Sequence, residues 1–209
     1  MTNRTHPGHF TCTVLGLLLL VACASCGSES ESTQPQVLAD DIPVAHTPPG
    51  GYGATFPAPI LAGCTEPLVA DAADLRGTWE VVEVERDGQP APPTDPAYAH
   101  TERIEQCGNR VVVTGGGVIH DMRCDGTAEH GVNDVSAPTG QPIQVVCTFE
   151  NRVHVLRPVG IPGVEVTRQL DGDVMVWHYV DFVARLQRID DHMATLLRGR
   201  GQGTNAPVT

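Results

Sequence analysis

The sequence predicts an all-β domain, an antiparallel up-and-down barrel of about eight strands that follows a disordered N-terminal tether. Three observations lead there. From Trp79 onward, short apolar runs are separated by turn-forming residues, with no helix between them. The 209 residues include 22 Gly and 17 Pro, which favours many turns over a helical bundle. A run of hairpins makes an antiparallel sheet, and closing that sheet into a barrel removes its exposed edges.

Taken in order, residues 1–22 read as a signal peptide, with Arg4 in the charged region and an apolar core at Thr13–Ala22 that is too short to span a bilayer. Residues 23–63 read as a tether. Gly27–Gln34 is polar and of low complexity, and six prolines follow between Pro35 and Pro59, a composition that buries too little apolar surface to fold alone. The barrel is assigned to residues 64–190. Asp71–Leu75 is expected to form a short helical turn before the first strand, Trp79–Arg86. The loop Asp87–Ala99 carries four prolines and is expected to cross one end.

A second strand, Arg103–Val113, is predicted to turn at Thr114–Gly117 into a third, Val118–Cys124. Read as a four-residue loop, that turn sets Val113 opposite Val118, Val111 opposite His120, Arg110 opposite Asp121 and Cys107 opposite Cys124. Ala128–Val135 is a weak segment, readable as strand or loop. Ile143–Phe149 then turns at Glu150-Asn151 into Arg152–Arg157, with Cys147 opposite His154. Val164–Leu170 turns at Asp171-Gly172, a strong two-residue hairpin signal, into Asp173–Val180. This pairing sets Glu165 opposite His178 and places Val164, Val166, Leu170, Met175, Trp177 and Tyr179 on one face. Phe182–Ile189 completes the sheet. Residues 191–209 are read as a short helix, beginning near Asp190, and a disordered tail.

The charge balance narrows the function. All thirteen basic residues are Arg, none is Lys, and the net charge is −12, so a phosphate backbone would be repelled and nucleic acid is not an expected partner. No nucleophile elbow, P-loop, dinucleotide fingerprint, His-Glu-x-x-His or EF-hand loop is present, so no enzymatic activity, catalytic residue or cofactor is expected. Gly115-Gly116-Gly117 joins two strands and is a turn, not a phosphate cradle. His120, Cys124 and His130 are zinc-type donors, but a disulfide claims Cys124 and alternation separates the neighbours of His120, so no metal site is assigned.

Two resemblances carry the reading further. Leu20-Val21-Ala22-Cys23 resembles the bacterial lipobox, which implies that Cys23 is the lipidated N-terminus of a membrane-anchored lipoprotein carrying palmitate-type chains. Ala24 after that cysteine implies the outer membrane. Gly77-x-Trp79, entering a Val-rich strand, resembles the opening of lipocalins and bacterial lipocalin-like domains. That resemblance implies that Trp79 lies in the barrel floor, covered by an Arg of the last strand, with Arg188 matching best and Arg185 second.

In the oxidising compartment of a lipoprotein, Cys64, Cys107, Cys124 and Cys147 are expected to form disulfides. The hairpin register favours Cys107–Cys124 and leaves Cys64–Cys147, with Cys26 unpaired. His120 and Met122 share the inward face of Val111, Val113 and Val118; together with Met175, Trp177 and Tyr179 they are the candidate lining of a ligand pocket. The expected function is binding of a small apolar ligand. The alternative is an envelope protein-interaction or protease-inhibitor-like module with a filled barrel, acting through the Asp87–Ala99 loop.

Overall fold

The chain from Gly77 to Ile189 folds as one antiparallel sheet that curls into a nearly closed barrel. This computed structural model describes residues 36–137 and 139–189. The segment read as a signal peptide, Cys23, Cys26 and the helix expected from Asp190 lie outside the described residues.

The strands are β1 (Gly77–Arg86), β2 (Gln89–Pro90), β3 (Thr101–Cys107), β4 (Arg110–Gly115), β5 (Val118–Arg123), β6 (Val132–Val135), β7 (Pro142–Glu150), β8 (Val153–Pro158), β9 (Val166–Asp171), β10 (Val174–Tyr179) and β11 (Phe182–Ile189). Ten of them follow the order β5-β4-β3-β1-β11-β10-β9-β8-β7-β6, and β2 is a short flap on β1. Among the described residues the strand count is therefore eleven rather than about eight. Part of the difference is the predicted strand Arg103–Val113, which breaks at Gly108-Asn109 into β3 and β4. The weak segment supplies β6, and the proline loop contributes β2 and a 3-10 turn at Pro96–Ala99. Asp71–Leu75 contains only a turn around Ala70-Asp71, not a helix.

Three hairpin registers differ from expectation by the same step. Val113 faces His120 and Val111 faces Met122; Phe149 faces His154 and Cys147 faces Leu156; Thr167 faces His178. The turn centres each sit one residue later than expected, at Gly116-Gly117, Asn151-Arg152 and Gly172-Asp173. Moving a turn centre by one residue shifts every pairing by two, and the side-chain period of a strand is also two. Each side chain therefore keeps its face while changing its partner.

The cysteine pairing is corrected by the same geometry. The disulfides are Cys64–Cys107 and Cys124–Cys147, not Cys107–Cys124 and Cys64–Cys147. Because the chain turns at Gly108-Asn109, Cys107 ends β3 while Cys124 follows β5, and β4 lies between them.

Residues 36–63 were expected to belong to a disordered tether, and they instead form an arm packed on the outer face of β3, β4 and β5. Ala39 and Leu61 of the arm bury against Cys107, Val112 and Ile119, with Ile42, Tyr52 and Ile60 beside them. Composition alone misjudges this segment because the apolar surface it covers belongs to the barrel. The run Val111-Val112-Val113 shows why: β4 is buried on both faces, one inside the barrel and one beneath the arm. The arm rises from Val37 beside Thr65 to Tyr52 at Gly117 and returns to the Cys64–Cys107 bridge.

Arg110 holds it there. Its Nε and Nη2 donate to Asp121 at 2.8 and 2.7 Å, Nη1 donates to the carbonyls of Ala39 and Ile42, both at 2.6 Å, and Nη2 donates to Pro43 O at 2.9 Å. All five guanidinium N–H groups are thereby used.

At one end of the barrel Trp79 is fully buried and its Nε1 donates to Leu75 O at 2.8 Å. Arg188 faces it across the β1–β11 ladder, with the guanidinium carbon 4.7 Å from the ring centroid. Gly77 permits the arrangement: its φ is +134°, and a Cβ there would sit 3.1 Å from the Arg188 side chain. Arg185 turns outward to Asp171 instead. Ile104, Val111, Met122, Met175 and Leu186 fill the barrel above this floor.

Two measurements follow from these contacts. Trp79→Ala should cost about 3–5 kcal/mol in urea unfolding, and Arg188→Ala, at an exposed position, about 0.5–1 kcal/mol. The double variant should lose less than the sum; strict additivity would mean the ring and guanidinium do not interact. Arg110→Ala should destabilise by about 3–5 kcal/mol, because Asp121 is left as an uncompensated buried charge. It should also open the arm to limited proteolysis between residues 42 and 60 while the barrel stays intact.

Candidate functional site

Charged side chains facing a barrel interior are costly unless paired, and here one pair sits above the packed floor. Glu102 on β3 and Arg168 on β9 face each other across the interior. Arg168 Nε donates to Glu102 Oε1 at 2.7 Å and Nη2 to Oε2 at 2.8 Å, a two-pronged contact between almost fully buried side chains. The ladder positions both groups. Glu102 lies opposite Trp79 and Gly115, and a Cβ on Gly115 would come within 3.0 Å of Glu102 Cβ and 3.3 Å of the His100 ring. Arg168 belongs to an inward row in which Phe149, His154, Arg168, Trp177, Ala184 and Val84 face one another in succession across β7, β8, β9, β10, β11 and β1.

Trp177 and three histidines surround the pair. The Arg168 guanidinium lies 5.2 Å from the Trp177 ring centroid, and the His100 ring stands 4.7 Å from the same indole. His100 Nε2 is 3.3 Å from Glu102 Oε2. His120 is inward and half-buried, with Nε2 2.9 Å from Val135 O across the gap between β5 and β6. His154 is fully buried against Phe149, with ring centroids 5.7 Å apart.

The electrostatics follow from burial. Desolvation pushes the Glu102 carboxyl up, but the charge and hydrogen bonds of Arg168, helped by His100, outweigh it and hold the group well below the usual carboxylate range. Burial pushes His154 down to about 3, the positive charge of Arg168 adds to this, and Glu102 opposes it. Burial also lowers His120. Burial thus favours the neutral imidazole at His120 and His154, beside an ion pair whose two charges compensate each other.

Several polar atoms at this level have no protein partner. They are Arg168 Nη1, Trp177 Nε1 and both ring nitrogens of His154. Buried polar atoms of this kind are uncommon in folded proteins and each carries a desolvation cost of about 1–3 kcal/mol.

The sequence-expected pocket residues are distributed unevenly around this centre. Trp177 belongs to it and His120 borders it. Met122 and Met175 lie in the packed interior, at 2% and 0% exposure. Tyr179 stands at the rim, 40% exposed, its ring 5.1 Å from Trp177 and 5.3 Å from Phe182. Glu102, Arg168, His100 and His154 were not singled out as a site. The readable signal was Arg168 between the inward positions Val166 and Leu170, a charge in an apolar alternation. Both groupings of metal-ligating residue types among the described residues, Cys124-Cys147-His154 and Cys64-Glu66-Cys107, include sulfurs already bonded in disulfides. That also removes Cys124 as a zinc thiolate.

A cleft of about 270 Å³ opens in the wall where β5 and β6 diverge, lined by His46, Arg110, Asp121, Met122, His130 and Asp134 among others. The arm spans it: Ala45 N and Thr47 N each donate at 2.8 Å, to Asp121 and Asp134 respectively.

Fold and centre together define a nearly closed antiparallel β-barrel with a buried polar cluster at mid-height. Among solved structures the chain is similar to human cRBP IV, at 15% identity and a TM-score of 0.40, over 56% of this chain and 99% of that one. A likeness at that level carries no argument about function. No protein-family model and no curated protein matches the chain.

The buried imidazole makes a pH prediction. A histidine whose folded pKa lies below its unfolded value binds fewer protons when folded, so stability is present above about pH 6.5 and is lost as pH falls toward 3. Between pH 6.5 and 5, before carboxylates titrate, the unfolding free energy should decline in the wild type and decline less in His154→Phe. Equal slopes would show that His154 is solvated.

Proposed function

We propose that the barrel binds a small molecule with an apolar body and one polar acceptor, at the level of Arg168 and Trp177, and that it does so as the cargo domain of an envelope lipoprotein. The observation that carries this reading is the set of buried, unpartnered donors: Arg168 Nη1 and Trp177 Nε1. Apolar walls with a few convergent polar groups are the usual anatomy of a small-ligand site. Leu156, Val166 and Trp177 line the interior at this level and keep 6–8% exposure, unlike the sealed floor. Native mass spectrometry of the protein purified from its own envelope tests it. A co-purifying small mass is expected, and Trp177→Phe should weaken its retention; a bare protein mass from every preparation would overturn the reading.

Anchoring belongs to the same proposal. Leu20-Val21-Ala22 before Cys23 supports lipidation of that cysteine, and Ala24 supports the outer membrane. Metabolic labelling with a palmitate analogue should mark the wild type and not Cys23→Ala; label that moves with Cys26 instead would assign the wrong cysteine.

A second reading, a protein-interaction module, is favoured by one feature. Val159, Ile161, Tyr179 and Val180 are 40–64% exposed and come from the β8–β9 and β10–β11 connections, at the end opposite Trp79. Adjacent exposed apolar residues mark contact surfaces. Val180→Asp should abolish a protein contact there and leave retention of a ligand at Trp177 unchanged.

A further inference from the structure

The chemistry of the interior pair specifies more than the presence of a ligand. Arg168 offers five N–H groups, and the structure commits Nε and one N–H of Nη2 to the two oxygens of Glu102. Its charge is matched, at 2.7 and 2.8 Å, by a carboxylate with 1% side-chain exposure. The free donors are Arg168 Nη1 and Trp177 Nε1. An acceptor reaching Nη1 arrives on a guanidinium whose opposite edge is already neutralised, within a few ångströms of Glu102. The histidines facing this level supply no compensating charge in the cases where burial decides it, His120 and His154.

We infer that this centre selects a neutral apolar ligand carrying a hydroxyl or carbonyl acceptor and rejects carboxylates and other anions, with Glu102 as the specificity-determining residue. The inference rests on the small-ligand reading above and narrows it. A neutral acceptor takes the free N–H donors without adding charge. An anion would place a second negative group beside Glu102 where little water screens it, and one of the two would have to be protonated or expelled. The exposure of the residues supports access from the end away from Trp79. His100, at 21% side-chain exposure, leads from the rim to Trp177, and Tyr179 and Phe182 continue the path. Removing the Glu102 charge should invert the preference, because an unmatched Arg168 then seeks an anion.

The test is calorimetric titration of the full chain with 1-decanol and with decanoate at pH 7.5, together with displacement of neutral N-phenyl-1-naphthylamine followed by fluorescence. The wild type should bind decanol about tenfold or more tighter than decanoate, the scale of one unmatched charge against a matched one. Glu102→Gln should reverse the order, with decanoate gaining about tenfold. Should that variant fail to fold, Glu102→Gln combined with Arg168→Met removes both charges and should lose the discrimination while still taking up the naphthylamine. Equal binding of the two decyl ligands, or preference of the wild type for decanoate, overturns the inference. Naphthylamine uptake that neither decyl ligand displaces leaves the small-ligand reading standing and overturns this one. Absence of binding by all three overturns both.

Discussion

The barrel does not seal itself, and the Arg110–Asp121 pair is what lets another part of the chain seal it. A curled sheet with an unpaired stretch between β5 and β6 presents backbone N–H and C=O groups that would template foreign strands. Here the arm occupies that position. Arg110 is nearly inaccessible and reaches three arm carbonyls, while Asp121, which it orients, accepts the Ala45 amide. Asp134 does the same for Thr47 from the β6 side. The two carboxylates stand on opposite sides of the gap, so a single irregular segment binds both edges without forming a strand.

The disulfides reinforce this closure. Cys64–Cys107 fixes the returning limb of the arm to the end of β3, and Cys124–Cys147 joins the segment after β5 to β7, across the place where the ladder is interrupted. Cross-links of 43 and 23 residues restrict the unfolded chain by amounts on the order of 2–4 kcal/mol each. Each therefore stabilises a region where backbone pairing is thinnest.

Inside, the molecule is divided by height. Toward Trp79 the space is taken up by Ile104, Val111, Met122, Met175 and Leu186, all at 2% exposure or less. Above them the walls carry Glu102, Arg168, His154 and Trp177, groups that a stability-driven core would replace with apolar residues of similar volume. Four polar side chains are retained at one level, and several of their atoms have no hydrogen-bond partner.

How much of this was legible in the sequence depends on the range of the interaction. Alternation within each strand determined which side chains face inward: Val111, Val113, His120 and Met122, and again Val166, Leu170, Met175 and Trp177, hold the faces that local pattern assigns them. Face assignment tolerates a misplaced turn because the error comes in steps of two. Gly77 and Trp79 also carry their own geometry, since only a residue without Cβ fits at that φ beside Arg188. Partner identity is another matter. Glu102 and Arg168 are 66 positions apart, and Arg110 meets arm carbonyls 67 to 71 positions away. Neither contact is encoded in a neighbouring residue. The disulfide pairing, the packing of residues 36–63 and the polar centre all arise only once the sheet curls and the arm lies down on it, because long-range ion pairs and hydrogen bonds are selected by which buried groups the closed fold leaves unmatched.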